Sequence, residues 1–414
     1  MITFRPFRAI RPRPEFAHDV ASRPYDVLDS KEAKQEAFGN PKSFLRVIKP
    51  EINLPESVDL YADEVYKKGK SVFAQMIKDG VFITDEAPSF YVYRLTMEGR
   101  TQTGLVGCCN FEEYYAGKIK KHELTRTAKE NDRVKHVETL EANAEPVFFS
   151  YRGQSEIDAL VDDIIKTDSV YDFTANDGIK HELWICDDPS KIATISRCFE
   201  SLDSLYVADG HHRTAAAARV GQKLKETNPD HTGNEEYNFF MSVLFPDDQL
   251  KIFDYNRVVK DLNGLSPEGF LEKLSHDFTI EKDNFSNIKP SKMREFAMYI
   301  QGEWFRLTPN KPYTRSNPVD DLDVTILSEF VLQPLLQIGD LRKSERIDFV
   351  GGIRGLDELS KRVDSGEMAV AFALYPVSID QLLAIADAGE IMPPKTTWFE
   401  PKLRSGLFVH SLKD

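Results

Sequence analysis

The densest group of reactive side chains in this 414-residue chain is the run Asp209, Gly210, His211, His212 and Arg213. A short apolar segment precedes it and an alanine-rich segment follows it, a pattern that predicts a strand, a tight turn and a helix. Unsatisfied backbone N–H groups and the positive end of the helix dipole meet at such a helix start. Two imidazoles and a guanidinium stand beside them. We therefore interpret the turn as an anion site, with phosphate as the best-fitting anion.

A structural role is the alternative for this turn. A single histidine at a helix start usually caps the helix or faces solvent. Neighbouring residues on a helix point in different directions, however, so a structural role seldom requires two histidines and an arginine in succession. The composition of the turn therefore favours function.

A second concentration of chemistry precedes it, comprising His122, Glu123, Thr125, Lys129 and Arg133. On a predicted helix covering about residues 125–141, the last three recur every four residues and would share one face. A hydroxyl and two cations on one stripe could hold a polyphosphate. Acidic residues interleave with them, so a solvated helix face joined by salt bridges is the alternative, and taken alone it is the more common arrangement.

Other motifs are weaker or absent. The pair His122-Glu123 does not begin a zinc-protease motif, because Arg126 stands where the second histidine is needed. The sequence also contains no Walker loop, and no G-x-G-x-x-G follows a predicted strand. The glycine-rich residues 351–355 could bind phosphate, although a plain turn explains them better. Lys395 and Lys402, in a proline-bounded terminal loop, could complete an anion site.

The composition excludes several classes of protein. The net charge is −14, from 53 basic and 67 acidic residues, and this disfavours nucleic acid and anionic membrane surfaces as partners. The chain has no apolar run of about 18 residues and no apolar secretory segment at its start. Its four cysteines lack metal-ligand spacing, which favours a reduced, cytoplasmic setting.

The order of predicted elements indicates an α+β or mixed α/β fold with a mixed sheet. Residues 1–55 are rich in proline and predict an irregular wrap with one short helix from residue 30. Two hairpins are predicted, one joining residues 90–95 to 103–109 and one joining residues 239–245 to 250–255. We expect a core domain over residues 1–260 and a C-terminal α/β region over residues 261–414.

Five separated motifs in order resemble one known family over nearly the whole chain. They are the Asp-Gly-His-His-Arg turn, residues 6–12, residues 24–28, the HE-x-T-x-x-x-K-x-x-x-R segment and residues 393–399. Together they resemble the bacterial and archaeal family called domain of unknown function 1015. The family's name assigns no activity.

A more distant resemblance concerns the turn alone. Gly210, His211, His212 and Arg213 are similar to the phosphate-binding turn of the ParB/sulfiredoxin superfamily. That superfamily includes sulfiredoxin, which uses ATP, ParB, which binds and hydrolyses CTP, and ADP-dependent free-serine kinases. The resemblance implies a ParB/sulfiredoxin-like core in which the turn holds nucleotide phosphates. It also disfavours sulfinic acid repair, because His211 occupies the position of the required cysteine.

The leading hypothesis is therefore a nucleotide-dependent phosphotransferase acting on a small hydroxyl substrate, with free serine as the best single guess. ATP or ADP would be the donor, with CTP as a further option, and Arg213 would neutralise phosphate charge. His211 or His212 would bond a transferring oxygen. Asp26, Glu123 and Asp209 are the candidate proton acceptors. Asp209 could instead hold Mg²⁺.

Two alternatives remain open. A ParB-like nucleotide switch would use the same turn without an acceptor site, but the acidic charge and the missing helix-turn-helix pattern disfavour it. A metal-dependent phosphatase could use His122 with His211 and His212, although adjacent histidines do not easily bind one metal.

Overall fold

The computed structural model describes residues 1–283, 288–313 and 315–413. These fold into two compact units. The first contains Met1–Lys121, Thr125–Leu250 and Pro401–Asp414, and the second contains His122–Leu124 and Lys251–Glu400. The second unit is therefore largely a single insertion, after which the chain returns to the first.

The first unit is built on a mixed sheet. Its strands are β1 (Phe4–Arg5), β2 (Ile10–Pro12), β3 (Phe82–Thr84), β4 (Phe90–Met97), β5 (Arg100–Asn110), β6 (Ile119–Lys120), β7 (Ala142–Asn143), β8 (Val147–Tyr151), β9 (Tyr171–Thr174), β10 (Lys180–Cys186), β11 (Leu205–Asp209) and β12 (Phe239–Pro246). The main sheet runs β6-β11-β8-β12-β5-β4-β10-β9, with β1 alongside β5. The pairs β6–β11 and β8–β12 are parallel and the others antiparallel. The predicted mixed α/β fold is confirmed.

Helices accompany this sheet. They are α1 (Ala17–Val20), α2 (Ser30–Glu36), α3 (Leu45–Ile48), α4 (Asp63–Lys78), α5 (Phe111–Tyr115), α6 (Thr127–Leu140), α7 (Ser155–Ile164), α8 (Pro189–Glu200) and α9 (His211–Thr227). The proline-rich start forms short strands and helices, among them the predicted helix at residue 30. That helix begins with a capping box formed by Asp29 and Glu32.

One predicted hairpin is confirmed. The strands β4 and β5 pair antiparallel up to Met97 and Arg100. The two residues between them, Glu98 and Gly99, have φ values of 51° and 77°. Two positive φ angles are what a two-residue type I′ turn requires, and glycine adopts them readily.

The other predicted hairpin is wrong. Strand β12 is flanked by β5 on one side and β8 on the other, so both of its edges are already paired. A short 3₁₀ turn at Asp247–Gln249 then leads the chain out of the first unit. The apolar run that follows it therefore joins the second unit.

The second unit has its own sheet. Its strands are β13 (Ile252–Phe253), β14 (Tyr255–Val259), β15 (Phe278–Asp283), β16 (Phe296–Ile300), β17 (Glu303–Pro309), β18 (Ile347–Gly351), β19 (Val370–Leu374) and β20 (Trp398–Phe399). The order is β15-β17-β16-β19-β14-β18, antiparallel throughout, and β13 pairs with β20. Its helices are α10 (Pro267–Leu274), α11 (Asp323–Leu327), which continues as a π-helix over Ser328–Leu332, α12 (Gly355–Asp364) and α13 (Ile379–Asp387).

The glycine-rich segment after β18 has a packing explanation. A Cβ on Gly351 would lie 2.9 Å from the Trp398 indole, and one on Gly352 would lie 2.3 Å from an Asp254 carboxylate oxygen. The first turn of α12 also carries Asp357 and Glu358, which repel anions. These glycines therefore allow close packing, in agreement with the plain-turn interpretation.

The returning C-terminal segment is held in the first unit by a buried hydrogen-bond network. The Arg404 Nε donates to His181 Nε2 at 3.2 Å, and His181 Nδ1 lies 2.8 Å from the Tyr93 hydroxyl. Arg404 also pairs with Asp177. The last strand, β21 (His410–Ser411), pairs with β7. None of the described helices combines the length and apolar character that crossing a bilayer requires.

This network predicts a loss of stability in acid. Burial and the Arg404 charge lower the pKa of His181 to about 3. The unfolded chain, with a histidine pKa of about 6.5, therefore binds more protons than the folded chain below that pH. Each pH unit from 6.5 downward should cost up to about 1.4 kcal/mol of unfolding free energy for this residue.

Denaturant melts between pH 7 and pH 4 measure this effect. His181→Asn should flatten the pH dependence without abolishing it, because burial also lowers the pKa of His136 to about 4. An unchanged slope in the variant would mean that His181 does not carry the effect.

Candidate functional site

The Asp209–Arg213 turn forms in the first unit as the sequence predicts. Strand β11 ends at Asp209, and Gly210 follows with φ 90° and ψ 34°, in the left-handed region. Helix α9 then begins, and the Thr214 N–H donates to the Gly210 carbonyl at 2.9 Å. Gly210 has no side chain with which to cap the helix, and the first turn carries no acidic residue. The positive end of α9 is therefore not neutralised by its own first turn.

The Arg213 side chain folds back beneath this turn. A Cβ on Gly210 would lie 3.1 Å from the Arg213 Nε, so the guanidinium rests directly on the glycine. Its Nη1 donates to the Pro146 carbonyl at 2.7 Å, and its Nη2 lies 3.1 Å from Asp209 and 3.7 Å from Asp26. Arg213 is 6% exposed. Two carboxylates thus balance a buried guanidinium.

Two features of Gly210 favour glycine: its positive φ and the Arg213 guanidinium packed against it. Both predict that Gly210→Ala destabilises the protein. A left-handed alanine costs about 1–2 kcal/mol, and here the new methyl group also displaces Arg213. We expect ~2–4 kcal/mol of lost unfolding free energy. Gly117→Ala is a matched control, because Gly117 has φ 72° and nothing within 4 Å of the added atom. Equal losses in the two variants would show that the Arg213 contact contributes nothing.

The Asp209 carboxylate is ionised. Burial raises its pKa, but Lys402, Arg213 and His211 lower it more, to about 2. The Lys402 Nζ lies 3.5 Å from one carboxylate oxygen, and Arg213 contacts the other. Lys402 comes from the returning C-terminal segment, so this segment contributes a cation to the turn.

A second buried arginine fixes the chain next to Asp26. The Arg133 guanidinium lies 3.9 Å from the centre of the Tyr25 ring and pairs with Glu145 at 3.3 Å. Glu145 also accepts a hydrogen bond from the Tyr25 backbone N–H at 3.1 Å and one from the Ser405 hydroxyl at 3.3 Å. Arg133 and Glu145 therefore hold the residue that precedes Asp26.

Helices α6 and α9 pack together around this cluster. A small cavity of about 20 Å³ lies between Arg133, Glu145 and Arg213, with room for about one water molecule. The structure thus brings together Asp26, Arg133 and the turn, which the sequence alone could not do.

The predicted stripe of Thr125, Lys129 and Arg133 does not form. Helix α6 begins at Thr127, so Thr125 precedes it and donates instead to Glu130 at 2.6 Å. Lys129 is exposed in the first turn, whereas Arg133 is buried in the second. The three residues do not share one helix face because Thr125 lies before the helix begins.

The residues before α6 divide between the two units. In the first, the Arg126 backbone N–H donates to His212 Nε2 at 2.9 Å, which joins this segment to the turn. In the second, His122 is buried with its Nε2 3.3 Å from the Thr397 hydroxyl. Glu123 lines an open cavity of about 570 Å³ with Asp340 and the Pro393–Pro394 segment.

The sequence predicts Asp209 as a possible Mg²⁺ ligand, and the described residues form no metal site around it. Across the described parts of the chain, no three His, Cys, Asp or Glu side chains are grouped so that they could hold an ion. Both Asp209 oxygens face cations, as described above. This donor set does not fit Mg²⁺, which requires oxygen ligands without competing ammonium or guanidinium groups.

Comparison with known proteins identifies the family. The sequence model of the family described as "Protein of unknown function (DUF1015)" matches residues 4–325, which include the whole turn and Asp26. This chain belongs to the DUF1015 family. The sequence resemblance to the family is thereby confirmed, and no curated protein matches the chain.

Solved structures show distant similarity to this DUF1015 protein. A conserved hypothetical protein from Pyrococcus furiosus is 16% identical, with a TM-score of 0.34, covering 70% of this chain and 91% of that one. A free serine kinase in complex with AMP is 14% identical, with a TM-score of 0.35, covering 70% and 88%. SbnI with a C-terminal truncation, from Staphylococcus aureus, is 12% identical, with a TM-score of 0.39, covering 74% and 87%.

Sequence reasoning missed Glu145 in this site. It lies in the short segment between β7 and β8 and carries no motif. The sequence carried no signal for it, because glutamate side chains are mostly exposed and become buried only where the fold supplies a partner, which here is Arg133.

Proposed function

We propose that this protein is a nucleotide-dependent phosphotransferase acting on a small hydroxyl substrate. One observation carries the proposal. The carboxylates of Asp26 and Asp209, from distant parts of the chain, meet at Arg213 beneath a helix start whose cap residue is glycine. Phosphoryl transfer needs an anion seat and a nearby proton acceptor, and this arrangement offers both.

The phosphate seat is the first turn of α9. Its backbone N–H groups and helix dipole attract phosphate oxygens, and His211, His212 and Lys402 add side-chain donors. For Arg213 we propose a role other than the phosphate contact predicted from its sequence position. Its buried guanidinium holds the two carboxylates in place instead of contacting phosphate.

Asp26 is the proposed proton acceptor. Its side chain is 36% exposed, whereas both Asp209 oxygens are occupied by cations. In the proposed step, the substrate hydroxyl oxygen forms a bond to the terminal phosphorus of the nucleotide. The bond from that phosphorus to the nucleotide's bridging oxygen breaks, and Asp26 takes the hydroxyl proton. Glu123 belongs to the second unit and is not assigned a role in this proposal.

The proposed donor is ATP or ADP, with CTP as a further option, and free serine is the first acceptor to test. Magnesium enters this proposal only as the ion that nucleotide phosphates bring with them. Asp209 is not proposed as its ligand, for the reason given above.

Phosphorus NMR tests the proposal. Pure protein is incubated with Mg²⁺, each of the three nucleotides and a panel of hydroxy amino acids, and a new phosphomonoester signal is the expected result. Lys402→Met should weaken turnover, and Lys413→Met, an exposed lysine on the same segment, should not. Hydrolysis that does not depend on an acceptor would contradict the transferase and favour a nucleotide switch.

A further inference from the structure

The second unit contains a buried arginine whose surroundings differ from those of Arg213. Arg257 lies on β14 between β18 and β19, and its side chain is 1% exposed. The residues directly opposite it are Phe349 and Phe372, which carry no charge. The guanidinium lies 5.4 Å from the centre of the Phe349 ring.

Only one of its nitrogens is satisfied by the described part of the protein. The Nη1 donates to the Tyr255 carbonyl, two residues back on the same strand. The Nε and Nη2 are both buried and have no hydrogen-bond partner within residues 1–283, 288–313 and 315–413. These two nitrogens form one edge of the planar guanidinium. That edge is the one that binds two oxygens of a carboxylate or phosphate side by side.

An unpaired buried charge is costly, so its persistence calls for an explanation. Burial lowers the pKa of Arg257 to about 10, which expresses the same cost. Other arginines of the unit are paired with carboxylates. Arg294, for example, contacts Asp321 and Asp323, each at 2.6 Å.

The neighbouring side chains include a further cation and aromatic rings, together with the carboxylates of Asp254 and of Glu400, which accepts a hydrogen bond from the Trp398 indole at 3.0 Å. The Tyr255 ring lies 5.1 Å from the Trp398 ring, and the Lys395 ammonium lies 5.7 Å from the centre of the Tyr255 ring. Arg257 bonds the carbonyl of Tyr255, the residue whose ring lies near Trp398 and Lys395.

We propose that Arg257 is a receptor for an oxyanion, a carboxylate or phosphate group of a small molecule, which it binds through its Nε–Nη2 edge. A buried guanidinium gains its missing partner in this way, and a two-oxygen anion matches its geometry. The site lies in the second unit and does not depend on the transferase proposed above.

Arginine side-chain NMR on the full-length protein tests this site. The Nε–H resonances are followed while sodium phosphate or sodium acetate is added, with sodium chloride as the control for ionic strength. Arg257→Lys identifies the Arg257 signal by its loss. We expect that signal to shift with phosphate, acetate or both, and the arm that succeeds identifies the class of oxyanion. A signal that moves with neither anion, or equally with chloride, would overturn the proposal.

Thermal unfolding provides a second readout. Arg257→Met removes the unpaired charge at similar volume, so the anion-free variant should melt at a higher temperature than the wild type. It should also lose the stabilisation that the successful anion gives to the wild type. Arg294→Met should melt at a lower temperature and keep that stabilisation. An Arg257→Met protein that melts lower and still responds to the anion would assign Arg257 a structural role.

Discussion

Replacing Asp26 with asparagine should reduce phosphoryl transfer by about 10²–10⁴-fold, the usual contribution of a positioned proton acceptor. The amide is nearly the same size as the carboxylate but cannot accept the hydroxyl proton. Because the phosphate seat is formed by other groups, nucleotide affinity should change little. Single-turnover kinetics with saturating nucleotide would separate the chemical step from binding.

Glu15→Gln is the control for this variant, since it also neutralises a carboxylate of the N-terminal segment, but an exposed one. It should transfer phosphate at the wild-type rate. If Asp26→Asn also retained that rate, Asp26 would not be the proton acceptor, and Asp209 would become the next candidate.

Replacing Arg213 with methionine should destabilise the first unit by about 3–5 kcal/mol, the usual cost of breaking a buried ion pair. The methionine fills much of the space but leaves Asp26 and Asp209 without their shared guanidinium. It also removes the hydrogen bond to the Pro146 carbonyl. The loss therefore comes mainly from carboxylates left in a half-buried position.

Chemical denaturation with a probe in the first unit measures this cost. Arg219→Met is the control on the same helix, because Arg219 is exposed and pairs with Glu130 at 2.7 Å. Such surface pairs contribute about 0–1 kcal/mol. A loss below ~1 kcal/mol for Arg213→Met would show that the buried pair contributes little and that Arg213 is available for phosphate.

Local structure at the turn was predictable from sequence. Gly210 required a positive φ, and the alanine-rich run required a closely packed helix, so β11, the turn and α9 followed from residue type. The turn between β4 and β5 was equally plain from Glu98 and Gly99.

Pairing over long distances was not predictable in the same way. The spacing of Arg213 to its neighbours says nothing about burial. Its buried ion pairs with Asp26 and Asp209 are the reason that we propose it as their anchor and not as a phosphate ligand. Lys402 reaches Asp209 only because the chain returns to the first unit after a long insertion.

The false hairpin after β12 has a related cause. A run of apolar residues identifies a strand, but it does not show which neighbour occupies the edges of that strand. Here β5 and β8 flank β12, and the following strand pairs with β20 in the second unit. The pairing of these strands is therefore set by the topology of the whole chain and not by the local sequence pattern.

A crystal structure with a non-hydrolysable nucleotide analogue tests the central claim most directly. The account predicts phosphate oxygens within hydrogen-bond distance of the backbone N–H groups of His211 and His212, with Lys402 at the same phosphates. Phosphates bound elsewhere, with the first turn of α9 vacant, would contradict it.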